Sequence, residues 1–168
     1  MKKMWSPWRS QYIDNIKQAN ESNECVFCGL SKLNVDDPEN LLLDKDDKTF
    51  TVLNLYPYNN GHLMVVPYRH SSDFNELTDE ENLEVMHKLQ LAKKALHKIA
   101  EPDGFNIGAN IGKISGAGIA NHIHFHIVPR WNGDTNFMPV LGDVKVISQD
   151  LLETKQRLLK AYKELKEK

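Results

Sequence analysis

The run His122-Ile123-His124-Phe125-His126-Ile127 alternates polar and apolar residues without a break, and Val128 follows it. In a strand it places His122, His124 and His126 on one face and Ile123, Phe125 and Ile127 on the other. At ~3.3 Å per residue, neighbouring histidines would stand ~6.6 Å apart and the outer two ~13 Å. The spacing predicts a strand over His122–Val128, ended by Pro129.

The rest of the chain supplies partners for that strand. Asn34–Asn40 reads as a loop. Leu41–Asp44 and Thr49–Leu55 are short apolar runs around Lys45-Asp46-Asp47-Lys48, which predicts a hairpin. Tyr56–Gly61 is a turn, and His62–Val66 a third strand stopped by Pro67. Thr78-Asp79-Glu80-Glu81 fits a capping box. Leu83, Met86, Leu89, Leu96 and Ile99 follow at helical spacing, predicting a helix over Asp79–Ala100. Pro102-Asp103-Gly104 ends it. Phe105–Ile111 reads as a strand, Lys113–Gly118 as a tight loop, and 149–168 as a last helix capped by Ser148. Short turns between neighbouring strands favour antiparallel pairing. The expected fold is α+β: an antiparallel sheet of about five strands, a long central helix and a C-terminal helix. The 168 residues suit one domain. Residues 1–24 would form an N-terminal arm whose Trp5, Pro7, Trp8 and Tyr12 pack on the domain or on a partner chain.

A net charge of −2 argues against a broad nucleic-acid surface, while leaving room for a small anion in a locally positive pocket. No apolar stretch approaches the ~20 residues that span a bilayer, and the first residues lack a signal-peptide core. A cytoplasmic protein is expected, without nucleic-acid or membrane partners. There the two cysteines, Cys25 and Cys28, suit a metal or redox site better than a disulfide.

Imidazole is a good nucleophile near neutral pH. Attack on phosphorus would divide one group transfer into two displacements. In a row of three, the flanking rings can orient the middle one or donate to phosphate oxygens. Gly112, Gly116 and Gly118 lie just upstream and let backbone N–H groups approach an anion. Two other readings are a solvated strand face and a metal held by two adjacent histidines; phosphate handling is favoured over both. His62, at the head of a strand, suits a structural role as readily as a catalytic one. His87 and His97 are expected in solvent. Arg130 and Lys113 could neutralise phosphate, and Trp131 could stack on a base or pack on the C-terminal arm.

The motif resembles that of the histidine triad family, alternating histidines closed by two apolar residues. The likeness runs from Cys25 to about Val140 and includes Asn54–Pro67, similar to the family's nucleoside-binding segment, and Gly104–Gly112, similar to its phosphate-side strand. Trp5-Ser-Pro-Trp8-Arg9, Cys25-Val-Phe-Cys28 and Pro129-Arg130-Trp131-Asn-Gly-Asp134-Thr-Asn136-Phe137 resemble the branch of bacterial diadenosine tetraphosphate phosphorylases, or ATP adenylyltransferases. The resemblance implies a nucleotidyl transferase or hydrolase acting on dinucleoside polyphosphates, with a covalent nucleotidyl-histidine on His124. His126 would bind phosphate and position the nucleophile. Asn54 would bond the ribose, Leu53 and Phe50 flank the adenine, and Asn110 with the Gly116-Ala117-Gly118 backbone hold phosphates. Zinc would be bound by Cys25, Cys28, His70 and His122, against the alternatives of a free dithiol or a redox pair. A homodimer with joined sheets is also implied. Gly118 occupies a position where many members carry Gln or Ser, which touches the choice between phosphorolysis and hydrolysis. A nucleoside phosphoramidase and a nucleotide-binding module with little turnover are the competing functions.

Overall fold

Tight connections fold the first three strands into a meander, so each lies antiparallel to the one before it. The computed structural model describes residues 25–135 and 147–167. Its strands are β1 (Leu42–Lys45), β2 (Thr49–Leu53), β3 (Leu63–Pro67), β4 (Gly104–Gly108) and β5 (Phe125–Arg130). They form one five-stranded sheet in the order β1-β2-β3-β5-β4, every pair antiparallel. The helices are α1 (Val26–Leu30), α2 (Asp79–Ala100) and α3 (Leu151–Lys166). This is the expected α+β architecture. The N-terminal arm, with the features from Trp5 to Arg9, lies outside the described residues, as do Asn136 and Phe137.

α2 spans the residues its signals predict. Thr78 accepts from the Glu81 backbone and Glu81 reaches back to the Thr78 N–H. Glu101, in the left-handed region at φ 42°, closes the far end before Pro102. The buried stripe is not the one the large residues suggest, however. Leu83 and Met86 are 59% and 55% exposed, while Val85, Leu89, Ala92 and Leu96 face the sheet. The first two turns are fastened by Glu81 to Arg69 and by Glu84 to Thr49, and the small Ala92 and Ala95 allow close approach. α3 likewise starts later than expected. Asp150 caps it through the Leu152 and Glu153 N–H groups, whereas Ser148 is bonded to Asn60.

The first three strands are buried on both faces. Leu43, Leu53, Leu63, Val65 and Ile127 pack under α2 and α3 with Leu89, Leu96, Leu158 and Tyr162. Leu42, Phe50, Val52, Met64 and Val66 form the other face, under Phe27 of α1.

Two boundaries near the histidines differ from expectation. β5 begins at Phe125, not at His122, because its pairing with β3 covers only Phe125–Ile127. Upstream of it the chain turns away to bond Ser71, whose carbonyl accepts from the Ile123 N–H at 2.7 Å. β4 in turn stops at Gly108, the partner of His126, since no strand continues beyond it.

Candidate active site

β5 is an interior strand, so His126 is carried between β3 and β4, opposite Met64 and Gly108. His124 and His122 sit on the segment that leads into it. All three are buried, as is His62 at the head of β3.

Hydrogen-bond partners assign the ring protons. The His62 Nδ1 is met by the Tyr58 backbone N–H at 3.0 Å and by the Asn54 amide nitrogen at 3.2 Å. The Asn54 orientation is set by its oxygen, which accepts from the Tyr56 N–H at 2.9 Å. With two donors facing it, Nδ1 carries a lone pair, and the neutral ring holds its hydrogen on Nε2. That hydrogen is donated to His126 Nδ1 at 2.9 Å. His126 must then carry its own hydrogen on Nε2, an atom that is buried and has no partner among the described residues. His124 is set the opposite way. Its Nδ1–H donates to the His122 carbonyl at 2.9 Å, leaving Nε2 bare. The His124 and His126 rings meet edge to face, centroids 4.8 Å apart. Two rings in contact thus differ in protonation, His124 with a bare Nε2 and His126 with an Nε2–H.

Burial keeps these rings neutral. It pushes His62 down to about 3 and His126 down to about 4, with the neighbouring rings adding to both shifts. His124 is lowered by burial and partly restored by its bond to the His122 carbonyl.

His122 faces elsewhere. Its Nε2–H donates to the Pro67 carbonyl at 2.9 Å. Its bare Nδ1 lies 3.4 Å from Cys25 Sγ and 3.7 Å from Cys28 Sγ, and His70 Nδ1 lies 3.3 Å from Cys28 Sγ. All four ligand atoms fall within 4.8 Å of one another. In a tetrahedral zinc site the S···N edge is about 3.5 Å, so these residues fit a metal ion. Phe27, between the two cysteines, packs on His122 and His124 at 5.4 and 4.8 Å.

The other expected residues divide. Asn54 is buried, its amide shared between Tyr56 and His62. Asn110 donates to the Tyr58 hydroxyl at 3.3 Å and stands 4.0 Å from where a Gly116 Cβ would be. Gly116 is at φ +90°, a conformation that suits glycine; the half-buried Ala117 and the exposed Gly118 follow it. Leu53 is not brought to the histidines: β2 turns it into the core under the helices. Phe50 is on the histidine face but wholly buried, packed against Tyr68 at 5.6 Å. Arg130 is held by Asp134, and Trp131 Nε1 donates to the Ala100 carbonyl. Lys113, His87 and His97 are exposed. Sequence reasoning missed Tyr58, whose ring lies 4.5 Å from His62 and 5.6 Å from His126. It also missed Phe27. The Tyr58 signal was only its place four residues before His62; Phe27 was marked by the cysteines on either side.

The chain is similar to known proteins in sequence and in fold. The HIT domain family matches residues 36–133. An AP-4-A phosphorylase of Mycobacterium tuberculosis is 39% identical over 163 residues, covering 94% of this chain and 83% of that protein. The crystal structure of a zinc-bound histidine triad family protein from Mycobacterium smegmatis superposes with a TM-score of 0.68 at 27% identity, over 87% of this chain and 98% of the other. A hypothetical histidine triad nucleotide-binding protein from Sulfolobus tokodaii gives 0.67 at 25% identity, over 84% and 94%.

Proposed function

The chain belongs to the HIT domain family, and on that premise we propose that it is a nucleotidyltransferase that splits diadenosine tetraphosphate through a nucleotidyl-His124 intermediate, with orthophosphate as acceptor. The observation that carries this is the opposed protonation of His124 and His126. His124 Nε2 is bare and attacks the α-phosphorus, forming the N–P bond as the bond to the bridging oxygen breaks. Charge that develops on the His124 ring is taken up by the His122 carbonyl at Nδ1. The departing nucleotide carries its own negative charge and receives a hydrogen bond from the His126 Nε2–H, which has no other partner among the described residues. His62 holds that hydrogen in place. Orthophosphate then attacks the adenylyl-histidine to give ADP.

Asn110 and the turn from Gly116 to Gly118 line the phosphate side. Asn54 keeps one amide hydrogen for a ribose hydroxyl. Cys25, Cys28, His70 and His122 hold a zinc ion, which would brace the segment whose carbonyl orients His124. The similarity to a protein named AP-4-A phosphorylase and to a zinc-bound relative supports both readings. β4 is an open sheet edge with Ile107 52% exposed, which suits pairing with a second copy into one continuous sheet. A single cytoplasmic domain fits two cysteines gathered with histidines for a metal instead of joined in a disulfide.

The test is product analysis with diadenosine tetraphosphate, with and without orthophosphate, alongside intact-protein mass spectrometry. ADP formed only when orthophosphate is present, and an adenylyl adduct absent from His124→Ala, are expected. AMP released without orthophosphate would replace phosphorolysis by hydrolysis. Binding without adduct or product would leave a nucleotide-binding module, and faster turnover of nucleoside phosphoramidates a phosphoramidase.

A further inference from the structure

A second cleft, of about 360 Å³, opens on the histidine face beyond the triad. It is lined by Tyr58, Asn59, Asn106, Val128, Arg130 and Thr135. Strand alternation explains its place. His126, Val128 and Arg130 share one face of β5, and Asn106 of β4 pairs with Val128. The cleft therefore begins one step, ~6.6 Å, past His126. Tyr58 joins the two sites: its ring packs on His62 and His126, and the residue, 51% exposed, also lines the cleft.

The charge pattern says what the cleft suits. Arg130 is its cation, and it is spent. Nε and Nη2 lie 2.6 and 2.9 Å from the Asp134 carboxylate, and Nη1 donates to Asn106 Oδ1 at 2.9 Å. The pair is neutral, so the cleft has no net attraction for a free phosphate. It offers instead an exposed aromatic ring, a flat guanidinium face, the Asn106 amide hydrogens and the Thr135 hydroxyl. These stack on a heteroaromatic ring and bond its edge. The volume is at the lower end of small-ligand sites and suits a nucleoside.

Resting on the activity proposed above, we infer that this cleft is the subsite for the departing nucleoside: the second base of the dinucleoside polyphosphate stacks on Tyr58, while the α-phosphorus lies at His124. The enzyme would thereby distinguish a substrate with a nucleoside at both ends from one with a nucleoside at one end.

The test compares kcat/KM for diadenosine tetraphosphate and for adenosine 5′-tetraphosphate, which has the same adenylyl group but no distal nucleoside. The wild type is expected to prefer the dinucleoside. Tyr58→Ala should cut the ratio of the two constants about tenfold, toward the lower end of what loss of one base–aromatic stack does. Asn106→Ala should cut it less. The ratio cancels any effect of Tyr58 on the histidines, and Asn106 is exposed, so its variant keeps the test open should Tyr58→Ala not fold. Ratios unchanged in both variants, or a wild type that treats the two substrates alike, would overturn the subsite and leave the activity standing. A wild type that cleaves neither would overturn the activity and the subsite with it.

Discussion

Two neutral histidines buried against each other make stability depend on pH, and the size of the effect follows from the structure. In the unfolded chain His62 and His126 titrate near 6.5. Folded, burial holds them at about 3 and about 4. Above pH 6.5 both states are neutral and the fold loses nothing. Below it the unfolded chain takes up two protons that the folded chain refuses, so stability falls as pH falls. By pH 5 each ring contributes a loss of about 2 kcal/mol relative to pH 7, or ~4 kcal/mol for the pair. That figure barely depends on the folded values, since both lie well below 5. For a chain of this length the melting temperature should drop by roughly 8–15 °C from this pair alone. Urea unfolding at pH 7, 6 and 5 of the wild type and of the His62→Gln/His126→Gln double variant isolates it. The variant will be less stable at pH 7, having lost buried hydrogen bonds, but its pH slope should be shallower by ~4 kcal/mol across the range. Any metal effect is common to both proteins and cancels. If the two slopes agree to within about 1 kcal/mol, these rings are not held neutral by the fold and the proton assignments built on them fail.

Elemental analysis should find one zinc per chain, falling below a tenth in Cys25→Ser, with a lower melting temperature because binding energy of a structural zinc is folding energy; full metal content in that variant would refute the ligand set. The phosphate-side loop allows a contrast between two glycines. Gly116→Ala, at φ +90°, should cost about 1–2 kcal/mol, whereas Gly118→Ser meets nothing within 4 Å of the new Cβ and should fold with unchanged stability. Equal denaturation midpoints for the two would remove the strain argument.

Local signals carried far in this chain. The capping box and the Pro102 stop delimited α2 to the residue because helix ends are decided within a turn of sequence. Alternation placed the histidines opposite Ile123 and Ile127. What local pattern could not give was where β5 stops being a strand, since that depends on Ser71 and β3, far away in the chain. Leu53 went astray for a similar reason. A strand buried on both faces has no polar side to show which way a leucine points, and only pairing with β3 turned it toward the helices. Tyr58 was invisible because its part is played through the backbone N–H and the outer ring face, neither of which has a sequence signature. Ser148 and Asp150 are both good caps; the competing bond of Ser148 to Asn60 decided between them.

The departure from regular strand geometry at His122 explains how one motif serves two ends. In an unbroken strand the His122 carbonyl would point along the sheet toward a neighbouring strand, and the three rings would stand alike. Because the chain leaves β5 before Phe125, the His122 carbonyl is instead free to take the His124 Nδ1–H, and its ring swings toward Pro67 and the cysteines. Each ring then has a different nitrogen occupied: His122 presents Nδ1 to the metal ligands, His124 presents a bare Nε2, and His126 presents an Nε2–H set by His62. The fourth histidine completes the set. Without an acceptor nitrogen fixed by Tyr58 and Asn54 on His62, His126 would have no reason to keep its hydrogen on Nε2, and the ring packed against the nucleophile would offer a second lone pair rather than a donor.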